Sequence, residues 1–219
     1  MLITGLTQKI EAMASEAGIA YRLAEGYYRD VVQNEVVLAN ITKDDHILCI
    51  GGGICPFSAI LFHQITGARV TVIDNDSNCV PKARQVIKRL GLGEYVRVLY
   101  QDGGSAGINF SDYTVVHFAL QVCPMECVFT YVENNVSPGT KLLVRRPKSR
   151  LGKLYSRLSR ELLSHCPLTT HKKARNIDST ALYIKQERHD GKKGVKKATV
   201  EKMAVCYTGD TTVFYGAAV

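Results

Sequence analysis

The sequence predicts a doubly wound α/β domain on a mainly parallel sheet, and three observations carry that prediction. Short apolar strands alternate with helix-length segments from about residue 46 to residue 185. A glycine triplet, Gly51-Gly52-Gly53, follows directly on the first of these strands. Aspartates then close the next two strands, at Asp74 and Asp102.

Residues 1 to about 39 read as helix, with Leu23, Tyr27, Val31 and Val32 at the spacing of one buried face. His46 to Ile50 is the first strand. Pro56 suits the first turn of the next helix, where its missing N–H would be unpaired anyway; Phe57 to Ile65 continue that helix and Gly67 ends it. Ala68 to Ile73 is a strand, Val80 to Leu90 a helix, and Val96 to Tyr100 a third strand. Thr114 to Leu120 is a fourth strand, followed by a helix from Pro124 to Val132 and a strand from Lys141 to Arg145. A basic helix is expected over residues 151 to 165, then a strand from Ala181 to Lys185. Beyond residue 188 comes a Gly- and Lys-rich loop, then a hairpin from residue 204 to residue 215, turning at Gly209-Asp210. This divides the chain into an N-terminal helical segment over 1–40, covering the acceptor side, an α/β domain over 41–187, and a basic loop with terminal hairpin over 188–219.

A chain of 219 residues, 46% hydrophobic and 22% charged, has the composition of an ordinary globular protein with one main core. No apolar run reaches the roughly 18 residues that a membrane span needs, and no secretory signal pattern opens the sequence. Seven cysteines without framework spacing fit reduced thiols, so a cytoplasmic location is expected. Cys123 and Cys127 share a helix side but lack the further ligands of a zinc site; no metal is expected. The net charge is +8, with bases crowded after Lys141 and again at Lys192 to Lys197. Solvated surface is the first reading of that charge and attraction of an anionic small molecule the second; sparse aromatics argue against RNA.

Ligands of doubly wound sheets bind beyond the carboxyl ends of the strands, where the strand order reverses. There Gly51, Gly52 and Gly53 let the backbone approach a ligand closely. Asp74, with Asn75 beside it, can accept ribose hydroxyls, and Asp102, with Gly103 beside it, can accept an adenine amine. Together they describe an adenosine pocket. A nicotinamide dinucleotide would use the same glycines and ribose acid, but Pro56 stands in place of its third glycine and Asp102 would have no task.

The run Ile50-Gly-Gly-Gly-Ile-Cys-Pro-Phe-Ser58, the Val-Ile-Asp74 strand end and Asp102 resemble class I S-adenosylmethionine-dependent transferases of the Rossmann-like methyltransferase fold. With Asn34-Glu35 and Pro56, the resemblance narrows to the nicotianamine synthase group, over roughly residues 27 to 185. The segment Ile54-Cys55-Pro56-Phe57 departs from the Pro-Leu-Pro-Leu form of that group, which bears on the acceptor. The resemblance implies S-adenosylmethionine as donor, transfer of its aminobutyrate arm to an amine, and release of 5′-methylthioadenosine. The acceptor is then a small amine or amino acid with a carboxylate, and a homo-oligomer stays open.

Glu35 is the candidate base, provided that burial raises its pKa; otherwise it is a solvated helix residue. Tyr28 and Tyr27 wall the pocket, face the sulfonium with their rings, or pack in the core. His117 reads as a satisfied sheet histidine, while Phe118, Ala119 and Leu120 are placed to line the reacting centre. Methyl transfer from the same donor pocket to a small molecule is the competing expectation, with RNA a lesser one.

Overall fold

The computed structural model describes residues 18–159 and 161–187, with side chains from Gly26 onward. Its elements are α1 (Gly18–Ala39), β1 (His46–Ile50), α2 (Phe57–Thr66), β2 (Arg69–Asp74), α3 (Cys79–Arg89) and β3 (Val96–Tyr100). Then come β4 (Val115–Phe118), α4 (Met125–Asn135), β5 (Lys141–Pro147), β6 (Leu168–Thr170) and β7 (Ile177–Ile184). The basic loop and hairpin expected beyond residue 188 lie outside the described residues, as do residues 1–17 of the expected N-terminal helix.

The seven strands form one sheet in the order β3-β2-β1-β4-β5-β7-β6. Strands β1 to β5 are parallel, and β7 runs antiparallel to both β5 and β6. Alternation along each strand sends side chains to two faces. Along β1, Ile47 and Cys49 join a core with Val32, Ala59, Ile60 and Phe62, on the side of α1, α2 and α3. Leu48 and Ile50 join a second core with Met125, Phe129 and Val132 of α4. Strands β1, β2, β4 and β5 are buried on both faces, which is why they read as continuous apolar runs.

Two expectations need correction. The described residues between 151 and 165 form no α-helix: after a short 3₁₀ turn at Ser149–Leu151 they run through turns. The reason is local. Arg157 folds back so that its Nε donates to the Gly152 carbonyl at 2.9 Å, over a position where any Cβ would collide with the guanidinium. Ser156 instead accepts the Met125 N–H at 2.8 Å and so serves the start of α4. The last strand also begins earlier than expected, at Ile177, and pairs with β6, a three-residue strand too short to show periodicity.

Candidate active site

The strand order reverses between β1 and β4, and a cleft opens beyond their carboxyl ends. Gly51, Gly53, Asp74, Asn75, Asp102 and Gly103 line it, so six of the residues expected from sequence come together there. Gly51 and Gly53 have φ of +84° and +61°, which side-chain-bearing residues rarely adopt. A Cβ on Gly52 would lie 2.3 Å from Cγ1 of buried Val72; this glycine lets the loop rest on β2.

Asp74 organises the loop from the end of β2. Its Oδ2 accepts the Gly53 N–H at 2.7 Å and its Oδ1 the Asp76 N–H at 2.9 Å. Each carboxylate oxygen keeps a further lone pair for a ligand hydroxyl. Asp102 accepts the Gly104 N–H at 2.8 Å in the same manner. Sequence reasoning missed Asp76, Gln101 and Gln121, which also line the cleft. Asp76 and Gln101 sit in the turns already recognised by Asp74 and Asp102, a signal that was available. The N–H of Asn78 holds the Asp76 carboxyl below its usual range, so the cleft carries negative charge.

The remaining expected residues do not line this cleft. Pro56 is the buried N-cap of α2, with its Cβ close to the Gly52 position. Ala119 is buried, and its Cβ lies 3.3 Å from where a Gly51 Cβ would stand. Leu120 joins an apolar cluster with Val31, Ala174 and Ile177, against which Tyr27, Tyr28 and Tyr155 pack. The Tyr28 ring stacks on Phe57 at 5.7 Å and lies under the Arg145 guanidinium at 5.8 Å. Tyr28 thus packs against the core, and its ring already faces a cation.

Glu35 is fully buried and ion-paired. Arg145 Nε donates to its Oε1 and Nη2 to its Oε2, both at 2.8 Å, and the Thr180 hydroxyl donates to Oε1 at 2.7 Å. Burial alone would push its pKa up, but the charge and hydrogen bonds of Arg145 hold it well below the usual carboxylate range. The condition attached to Glu35 as a base, a pKa raised by burial, is therefore not met. Arg145 is completed by Ser58, whose Oγ accepts from Nη1 at 2.9 Å. Arg145 was not singled out as a site residue. The available signal was alternation, which puts the arginine that follows an apolar Leu-Leu-Val run on a covered face.

His117 also departs from expectation. It is buried in β4, yet neither ring nitrogen has a hydrogen-bond partner, and its Nε2 stands 3.7 Å from Glu35 Oε2. Burial first, and Arg145 second, lower its pKa and keep the ring neutral. Among the described residues no group of three or more His, Cys, Asp or Glu is placed to hold a metal. No helix among them is long and apolar enough to cross a membrane. Among the described residues Cys49, Cys55, Cys79, Cys123 and Cys166 are free thiols.

Sheet order, strand directions and the glycine loop at the switch point define the Rossmann-like fold of S-adenosylmethionine-dependent methyltransferases, and the chain has that fold. It is similar to a mutant of MtNAS, a nicotianamine synthase, in complex with S-adenosylmethionine. The identity is 22% and the TM-score 0.69, over 84% of this chain and 73% of that one. MtNAS in complex with MTA and tNA is similar at 22% identity and a TM-score of 0.67, over 82% and 69% of the two chains. An RNA methyltransferase from Salinibacter ruber, in complex with S-adenosyl-L-homocysteine, is similar at 20% identity and a TM-score of 0.55, over 74% and 95%. No family model and no curated protein matches the sequence.

Proposed function

We propose that this chain is a transferase that uses S-adenosylmethionine as donor and moves its aminobutyrate arm to an amine acceptor. The observation that carries the donor is the switch-point cleft, where Gly51 and Gly53 meet Asp74 and Asp102. The adenosine would lie over the glycine loop, its ribose hydroxyls on Asp74 and its amine on Asp102. The bound sulfonium and nucleoside of the similar structures support that choice of donor.

A sulfonium activates all three of its carbons, so the position of the nucleophile selects the bond that breaks. In aminobutyrate transfer the amine nitrogen forms a bond to the Cγ carbon of that arm. The C–S electron pair stays on sulfur, leaving neutral 5′-methylthioadenosine, and the nitrogen sheds a proton. Tyr28 and Leu120, which share one apolar cluster, would wall the side from which an acceptor comes. Glu35 could take the proton only after releasing Arg145, since the intact pair holds its carboxyl too acidic for a base. Asn34-Glu35 and Pro56, shared in pattern with the nicotianamine synthase group, support this transfer over others.

Methyl transfer to a small molecule is the second reading, favoured by one specific observation: the Glu35 carboxylate is committed to Arg145 and Thr180. A nucleophile that needs no base would suit such a site. Incubation of the chain with S-adenosylmethionine and a panel of amino acids, read by mass spectrometry, separates the two. Release of 5′-methylthioadenosine is expected; release of S-adenosylhomocysteine alone would replace the first reading with the second, and no donor binding at all would sink both.

A further inference from the structure

A second cleft, unclaimed by the donor, lies at the carboxyl end of β5. It is lined by Met125 and Val144, by Arg146 and Arg157, and by the hydroxyl-bearing Ser149, Ser156, Ser159 and Ser164 beneath the turns that replace the expected helix. Alternation along β5 turns the Arg145 guanidinium to the α1 face, where Glu35 and Ser58 hold it although the residue also borders this cleft, and sends Arg146 to the α4 face, into the cleft. Arg146 is half-buried, and among the described residues no carboxylate or carbonyl pairs with its guanidinium. A planar five-donor cation held by a strand, partly desolvated and unpaired, matches a planar or tetrahedral oxyanion in geometry and charge.

The surroundings favour an anion too. Arg157 spends its Nε on the Gly152 carbonyl, which fixes the guanidinium at the rim. One carboxylate, Asp178, also lines the cleft and accepts from Ser179 Oγ at 3.2 Å, so the two arginines leave a positive excess. From Lys141 to Glu187 the chain carries twelve Lys and Arg against three acids, so its field draws anions toward this end. The first turn of α4 separates the two clefts: Cys123 and Val128 face the donor side, Met125 the other.

We infer that this cleft is an oxyanion subsite anchored by Arg146, and that it takes the carboxylate of the acceptor. The assignment to the acceptor rests on the transferase reading above; the oxyanion chemistry does not. The test is an NMR titration of the whole chain at low chloride, with sodium acetate and inorganic phosphate as probes and S-adenosylmethionine binding followed in the same samples. Acetate should bind saturably. Arg146→Gln should weaken it about tenfold or more, the loss expected for a charge-assisted pair. Arg150→Gln, an exposed arginine outside the lining, should leave it within about twofold, since exposed charges at a distance are screened.

Equal losses in both variants would mean diffuse attraction and overturn the site. Phosphate bound in the cleft without acetate would overturn the carboxylate assignment. An RNA oligonucleotide that displaces acetate with steep salt dependence would give the surface to a polynucleotide and overturn it as well. Failure of S-adenosylmethionine to bind, with the Arg146-dependent acetate site intact, would refute the transferase reading and leave the oxyanion subsite standing.

Discussion

Replacing Glu35 by Gln tests the buried ion pair that joins α1 to the sheet. The isosteric amide keeps one acceptor oxygen but turns an NH₂ toward a guanidinium N–H, so at least one of the two 2.8 Å bonds is lost. Arg145 is 4% exposed and would remain charged with its counter-charge gone. Breaking such a pair from one side costs about 3 to 5 kcal/mol, a large share of the roughly 5 to 15 kcal/mol that holds a domain together. Urea denaturation at neutral pH should show that loss. Adding Arg145→Met to Glu35→Gln should recover much of it, because an apolar replacement of both partners is far cheaper than an unpaired charge. The effect should also depend on pH. Glu35 titrates lower in the folded chain than in the unfolded one, so its stabilisation is complete above the unfolded value of about 4.5 and fades as pH falls toward the folded value. Stability within about 1 kcal/mol of wild type, or strictly additive effects of the two substitutions, would refute the coupled pair.

Two further outcomes probe the donor cleft. Asp74→Ala removes the acceptor of the Gly53 N–H as well as the proposed ribose contact, and should weaken S-adenosylmethionine binding by about 1 to 3 kcal/mol in calorimetry; unchanged affinity would move the ribose elsewhere. Gly52→Ala puts a methyl 2.3 Å from Val72 Cγ1, a side chain with no room to yield in the core, and should lower stability by about 1 to 3 kcal/mol in thermal or urea unfolding. A fully stable alanine variant would show that the loop can lift from β2.

The sequence by itself determined what short-range pattern can encode. The strand of His46 to Ile50, the glycine triplet after it and the aspartates at Asp74 and Asp102 are contiguous signals, and chain direction alone brings the ends of parallel strands to one edge. The covering helices followed from apolar spacing and from breakers such as Gly67, which adopts a left-handed C-cap. Tertiary structure decided the rest. Residues 151 to 165 have the composition of a helix, yet Arg157 and Ser156 find better partners in Gly152 and the start of α4. Local propensity of a few tenths of a kcal/mol per residue yields to such bonds. The charge state of Glu35 was the clearest case. Its helix position is visible in the sequence, but the partner that fixes its ionisation is Arg145, 110 residues away on β5, and the hydroxyl that completes it is Thr180 on β7. Only the sheet order β4-β5-β7 brings these strands together under α1, and electrostatics depends on distance in space rather than along the chain.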